Sequence, residues 1–431
     1  MKEITVPYGK GFQSAYFPEK IDIEFIDLQG NDEIYEEEKL LMDAMDNPIG
    51  SPRLEEMISI DDKVLIVVND HTRPGPSKLI VGEIVKRLSK LGLKTNQIRF
   101  IIATGSHRAS TQEELINILG NEVVNNYEVI NHQCKDDNNL VYLGESLYDV
   151  PIYVNRALTE CTFCIVTGLI APHHSAGYSG GRKSIVPGLA GFKTLKIHHS
   201  LPIRPYEPAM GFIYGNPFHE VALDVAKRTN TKFMVNAVQN PHKQNIAFVA
   251  GDLIEAHRKG VDICKEVSEV SIEEKADVVI VSPGGYPRDR NLYQAQKALS
   301  VAEKIGNPDC TFILVAESRD GLGEGVLKEW LSEANNPQEV IERFKSEGYD
   351  VGSNKAFMYA RAMLKGKVIV VSEYLSKEEL EEMMLDWAPT LQSAVDMALK
   401  RKEPNKALIL PNAVNIIPKI LKGYEKAIQL D

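Results

Sequence analysis

The chain has 431 residues, too many for one ordinary core, and reads as two domains on the usual size range. Its 43% hydrophobic and 25% charged residues are those of a folded globular protein, and a formal charge of −11 argues against broad binding to nucleic acid or to an anionic membrane. No stretch reaches the ~18 continuous apolar residues of a spanning helix. The N-terminus carries no signal-peptide pattern and the five cysteines are too scattered for a disulfide framework, so a cytoplasmic protein is expected.

Residues 1 to about 35 alternate as strands do, with Tyr8-Gly9 as a turn, and Glu36 to Met45 reads as a helix before a Pro/Gly/Ser break. A repeated unit follows, in which an apolar strand ends in polar residues and leads into a helix. Residues 64–69 run into Asp70-His71-Thr72-Arg73-Pro74 and a helix over 77–91. Residues 98–104 run into Gly105-Ser106-His107-Arg108, and Thr111 with Glu114 makes a capping box for the next helix. Residues 162–171 run into His173-His174. Cys161-Thr-Phe-Cys164 has redox or metal spacing, but its apolar surroundings read as a buried strand, and no second C-x-x-C completes a zinc set.

Alternating buried strands and helices predict a parallel α/β architecture, in which ligands bind beyond the carboxyl ends of the strands. Asp70 to Arg73, His107 and His173 all fall there, which predicts one shared site. The stretch from Thr167 to Ser200 holds four of the ten histidines around a glycine-rich turn, Gly177, Gly180 and Gly181, that ends in Arg182-Lys183. Glycines at this density suit a phosphate-cradling loop with Lys183 at its rim. Arg182 separates Gly181 from Lys183, so the loop is not G-x-x-x-x-G-K-[ST], and it lacks G-x-G-x-x-G, which counts against a nucleoside triphosphatase or a dinucleotide fold.

Later segments give a helix near 222–228, a strand in FMVNAV, a helix over 256–270, and a new α/β series from Ala276, so the boundary is placed at 268: a first domain 1–268, a second 269–410, and a terminal segment 411–431 packing back on the first. In the second domain Tyr293, Gln294 and Lys297 fall within one helical turn, and Gln294 with Lys297 at i and i+3 suit a carboxylate.

With these pieces together the chain resembles the nickel-dependent lactate racemase family, which includes other 2-hydroxyacid racemases and epimerases. The matching stretches are Asp70 to Pro74, Thr104 to Arg108, Pro172 to Lys183, His199, and Asn291 to Lys297. The resemblance implies two α/β domains with mostly parallel sheets and an active site in the cleft between them. It implies a nickel-pincer nucleotide, a pyridinium mononucleotide holding nickel through carbon and two sulfurs, covalently linked to Lys183, with His199 as the protein's nickel ligand. Asp70, His71, Thr72 and Arg73 would lie at the cofactor, and Arg73 also at the substrate. His107 and His173 would be the acid/base pair, with His174 as the alternative to His173, while Tyr293, Gln294 and Lys297 would hold the substrate. The partners implied are a small 2-hydroxy acid and the enzymes that make the cofactor. Two bases on opposite sides of a carbon suit an inversion, and imidazole titrates near the working pH.

Lactate racemases of that family carry a tryptophan near the substrate late in the chain, whereas this sequence has only Trp330 and Trp387, and Asp350 to Ala360 offers Phe357 and Tyr359. Two other readings remain open at this point: a nicotinamide-dependent 2-hydroxyacid dehydrogenase, opposed by the missing glycine fingerprint, and a non-catalytic nickel- or nucleotide-binding protein.

Overall fold

A computed structural model of the chain describes residues 1–28, 35–73, 75–201 and 210–421. Pro74 and residues 422–431 of the terminal segment lie outside the described residues. The fold is α/β, and contacts divide the chain into two units, Gly30–Val267 and a second made of Met1–Gln29 with Ser268–Asp431.

The first unit is built on a six-stranded sheet in the order Asn245–Gly251, Thr231–Gln239, Phe163–Ile170, Val64–Asn69, Ile98–Ala103, Glu128–Asn131. Every pairing is parallel except that of the edge strand Asn245–Gly251. The central strands are apolar on both faces because helices cover both: Val64 to Val68 are fully buried without alternation. One of those helices, Ser77–Lys90, inserts Ile80, Val81, Ile84 and Leu88, and the next is capped as its sequence predicts, Thr111 Oγ accepting from Glu114 N at 3.3 Å while Thr111 N donates to Glu114 Oε at 2.8 Å. The chain order reverses between the Val64–Asn69 and Phe163–Ile170 strands. Such a switch point opens a crevice at the strands' carboxyl ends, where Asp70 and Pro172-His173 emerge.

The second unit has its own six-stranded sheet, parallel throughout: Asp386–Ala388, Gly366–Val371, Gly306–Val315, Ala276–Val281, Lys406–Leu410, Asp22–Phe25. Two expectations about domain limits are corrected. The N-terminal residues belong to this unit, because the Asp22–Phe25 strand pairs with Lys406–Leu410 and the hairpin Lys2–Tyr8/Gly11–Phe17 packs Ile4, Val6 and Phe17 into its core. The described part of the terminal segment, to Leu421, also stays here, since Ile417–Ile420 pairs in parallel with Glu269–Ile272. Pairing so distant in sequence leaves no local pattern to read.

Candidate active site

The loop after Val64–Asn69 is organised by a buried carboxylate. Asp70 is 3% exposed; its Oδ1 accepts from Thr72 Oγ at 2.7 Å and Thr72 N at 3.2 Å, and its Oδ2 lies 2.7 Å from His107 Nδ1. Burial pushes the Asp70 carboxyl up, but the hydrogen bond and charge of His107, with Thr72 and Arg73, outweigh it and leave the group below its ordinary range. With Asp70 ionised, His107 carries its proton on Nδ1, so its basic nitrogen is Nε2, on a ring that stays solvent-exposed. The His107 loop is tied down by Gly105 N donating to Gly188 O at 2.9 Å and Thr104 Oγ to His132 O at 2.6 Å. His71 turns elsewhere, its Nδ1 lying 3.7 Å from Glu114, and Arg73 is exposed with Nη1 on Thr72 O at 3.3 Å.

His173 sits in a two-residue hairpin, Pro172 opposite Tyr178 and His173 opposite Gly177. Its Nδ1 accepts from Ser175 N and Ala176 N, each at 3.1 Å, which places the ring proton on Nε2. The two acid/base candidates are therefore set in opposite tautomers. His174 stacks on His173 with ring centroids 4.6 Å apart.

The glycine turn is not the anion cradle its composition suggests. A Cβ on Gly177 would lie 2.0 Å from Phe212 O, and one on Gly180 2.6 Å from Asn236 Oδ1, so the protein's own chain fills the space these glycines leave. The Gly181 amide already donates to Asn236 Oδ1 at 2.8 Å. Arg182 is fully buried, with Nη2 on Ala176 O at 2.9 Å and Nη1 near His257 Nε2 at 2.7 Å, and burial pushes its guanidinium down to about 9. The pair Arg182-Lys183 thus splits: Arg182 anchors the hairpin and Lys183, in a short 3-10 turn, is half-buried with Nζ 5.9 Å from the Phe218 ring centroid.

Phe218 is the residue that sequence reasoning missed. It starts the Pro217–Lys227 helix, and its ring lies 3.8 Å from that of His198, 5.5 Å from His199 and 6.3 Å from His173. Asn216 caps this helix through Phe218 N at 3.0 Å and also donates to Ser175 O at 2.9 Å, fixing the aromatic ring to the His173 hairpin. The signal was present as Gly215-Asn216-Pro217, an N-cap followed by proline at N1, but nothing local tells that the next residue is the hub.

The two adjacent histidines differ. His198 is fully buried, its Nε2 bonded to Phe218 O at 2.9 Å, its Nδ1 without a hydrogen-bond partner among the described residues, and burial holds it well below its ordinary range. His199 donates from Nδ1 to Leu195 O at 3.0 Å, so its Nε2 lone pair is the one a metal could use; burial first, then the charges of Lys183 and His107, push it down to about 4 and keep it neutral. Among the described residues no group of three or more His, Cys, Asp or Glu is placed to hold a metal ion. The Cys161-Cys164 pair is buried, and both thiols are free.

In the second unit Asn291 caps the Leu292–Ile305 helix by accepting from Gln294 N at 2.9 Å, and Lys297 Nζ donates to Gln294 Oε at 2.7 Å, as the i, i+3 spacing requires. Phe357 and Tyr359 are turned inward, the first against Phe344 at 5.3 Å and the second bonding Leu292 O at 2.9 Å. Trp330 is stacked under Arg343 and Trp387 donates to Ser372 O at 2.9 Å, so all four aromatics serve packing. Lys355 reaches this helix as well: its Nζ donates to Gln296 Oε at 2.8 Å and lies 5.6 Å from the Tyr293 ring centroid.

Residues 8–211 match the model of the lactate racemase N-terminal domain and residues 271–418 that of the lactate racemase C-terminal domain. The chain is 33% identical over 388 residues to a lactate racemase of Lactiplantibacillus plantarum, covering 89% of this chain and 91% of that protein. It is 30% identical over 425 residues to a lactate racemase of Thermoanaerobacterium thermosaccharolyticum, covering 97% and 99%. The apoprotein structure of the racemase from that organism superposes with a TM-score of 0.88 at 30% identity, over 97% of this chain and 100% of the other. A Thermotoga maritima protein, with a TM-score of 0.65 at 18% identity over 86% of this chain and all of the other, shares the fold.

Proposed function

The chain belongs to the lactate racemase family and is an isomerase; on that premise we propose that it inverts C2 of a small 2-hydroxy acid, lactate or a close relative, with His107 and His173 as the acid/base pair. The observation that carries this reading is the pairing of His107 Nδ1 with the buried Asp70 carboxylate at 2.7 Å, which orients a basic Nε2 outward. In this reading His107 Nε2 takes the hydroxyl proton of one enantiomer, and Asp70 steadies the imidazolium that forms. His173, as the imidazolium, donates its Nε2 proton to the same oxygen in the product geometry and leaves this step as the neutral ring with its proton on Nδ1, the form that acts as base in the reverse direction; either state breaks the bonds from Ser175 N and Ala176 N. His173 is thus the slower base of the two. Of the residues that the family resemblance assigns to the substrate, Arg73 and Lys297 carry the positive charge a carboxylate calls for, and Gln294, bonded to Lys297 at 2.7 Å, can orient it.

The residues present fit the nickel-pincer nucleotide that the family resemblance implies. Lys183 would form the covalent link, His199 would offer its Nε2 lone pair to nickel, a borderline metal well matched to neutral imidazole, and Asp70, His71, Thr72 and Arg73 would line the remainder. Nickel at His199 would take its other donors from the nucleotide, as the family resemblance implies. When bound, that group supplies a reversible hydride acceptor for C2.

The test uses full-length protein loaded with cofactor and a C2-deuterated 2-hydroxy acid in ordinary water. Inverted product should keep its deuterium. Product that has inverted and lost the label would show proton exchange at carbon and sink the hydride reading, and the absence of inversion for every small 2-hydroxy acid offered would sink the activity.

A further inference from the structure

Lys355 lies on the Ser353–Lys365 helix and is 2% exposed. A buried ammonium is costly without a negative partner, and the described residues give Lys355 none: its hydrogen bond goes to the neutral Gln296 amide, while Glu303, the buried carboxylate of the region, is engaged by Arg361. Its electrostatic neighbours are cations, Lys297 and Arg361. The helix geometry accounts for the crowding, because Tyr293, Gln296 and Lys297 at i, i+3 and i+4 share one face, and Lys355 sits over Tyr293 and bonds Gln296. Burial, with the charge of Lys297 next, depresses Lys355 well below the ordinary lysine range. Packing does not require such an arrangement, since a methionine would fill the same volume at no electrostatic cost. Perturbed, uncompensated charges are characteristic of ligand sites.

We propose that Lys355 shares the carboxylate of the substrate with Lys297, so that two lysines from two helices close on one anionic group. This rests on the racemase reading for the identity of the ligand, but not for its charge. A carboxylate supplies acceptors for both ammonium groups and removes the repulsion between them, and bonds between ionised partners are the strong ones.

The experiment has two arms. In the first, oxalate is titrated into cofactor-free full-length protein by calorimetry; Lys355→Met should weaken it about 10-fold or more, and Lys297→Met with Lys355→Met should lose less than the single losses combined, since two groups that share one partner are coupled. In the second, cofactor-loaded Lys355→Met should show a KM for the 2-hydroxy acid raised about 10-fold with kcat falling far less, because the interaction is already made in the ground state. Unchanged oxalate affinity, or a fall in kcat with KM unchanged, would overturn the proposal. Should Lys355→Met fail to fold, Lys355→Gln, which keeps a donor for Gln296, is read in the same way. If wild type inverts nothing yet binds oxalate through Lys355, the activity reading has failed and this one stands.

Discussion

In residues 30–267 three histidine rings are held by the backbone, His173 by two amides, His199 by Leu195 O and His198 by Phe218 O, and His107 is held by the buried Asp70 carboxylate. On the Leu292–Ile305 helix of the other unit the polar groups are held by side-chain amides, Lys297 by Gln294 and Lys355 by Gln296. Backbone partners fix a ring's tautomer and hence which nitrogen reacts, which is what proton transfer and metal ligation need. Amide side chains can turn aside when an anion arrives, which is what binding needs. Both units bury a cationic side chain, Arg182 against Ala176 O and His257 in the first and Lys355 against Gln296 in the second.

The largest effect expected lies in the first unit. Lys183→Ala should abolish both the nucleotide adduct, read by intact mass, and all racemisation, and His199→Ala should lose nickel while His198→Ala, which removes a ring already bonded to Phe218 O, keeps it; equal nickel in the two variants would move the ligand. Next, His107→Ala and His173→Ala should each lower kcat by about 10²–10⁴-fold in both directions, as removal of one acid/base group does. Full activity in His173→Ala with loss in His174→Ala would shift the second base by one residue. Phe218→Ala should cost about 3–5 kcal/mol of unfolding free energy, because it empties the centre on which three histidine rings rest; a melting temperature equal to wild type would show that the ring is not the hub.

The smallest effect is the pH dependence, and it too should divide the units. His132 and His199 are pushed down to about 4 and His219 to about 3, with burial the leading cause in each. Their unfolded values lie near 6.5, so the unfolded state binds more protons between about pH 6.5 and 4, and stability is full above 6.5 and falls as pH drops through that window. Each should cost on the order of 1 kcal/mol per unit of pH there. Lys355 shifts in the same direction, since burial and the charge of Lys297 lower it from its ordinary 10.5 and its ammonium is disfavoured by the fold, so Lys355→Met should leave the melting temperature unchanged or raise it. Scanning calorimetry from pH 7 to 5 should show melting temperatures that fall on acidification in Lys355→Met as well as in wild type, because the histidines of the first unit remain.

The sequence by itself determined the local pieces. Continuous apolar runs declared the central parallel strands, the Thr111/Glu114 spacing declared a cap, and the pattern placed Asp70, His107 and His173 just after strands, because each of these depends on a few neighbouring residues. The Gln294–Lys297 contact followed from helical geometry alone. What only the tertiary structure decided were relations between distant segments. The N-terminal strands joined the C-terminal sheet through pairing across nearly the whole chain, and the glycines of the His173 loop proved to make room for Phe212, Asn236 and His257. Phe218 became the centre of the histidines, and Lys355 met Gln296 and Tyr293 from a separate helix. A glycine, a phenylalanine or a lysine reads the same in sequence whatever it faces; burial and the identity of the opposing atoms give it a role, and those are set by packing.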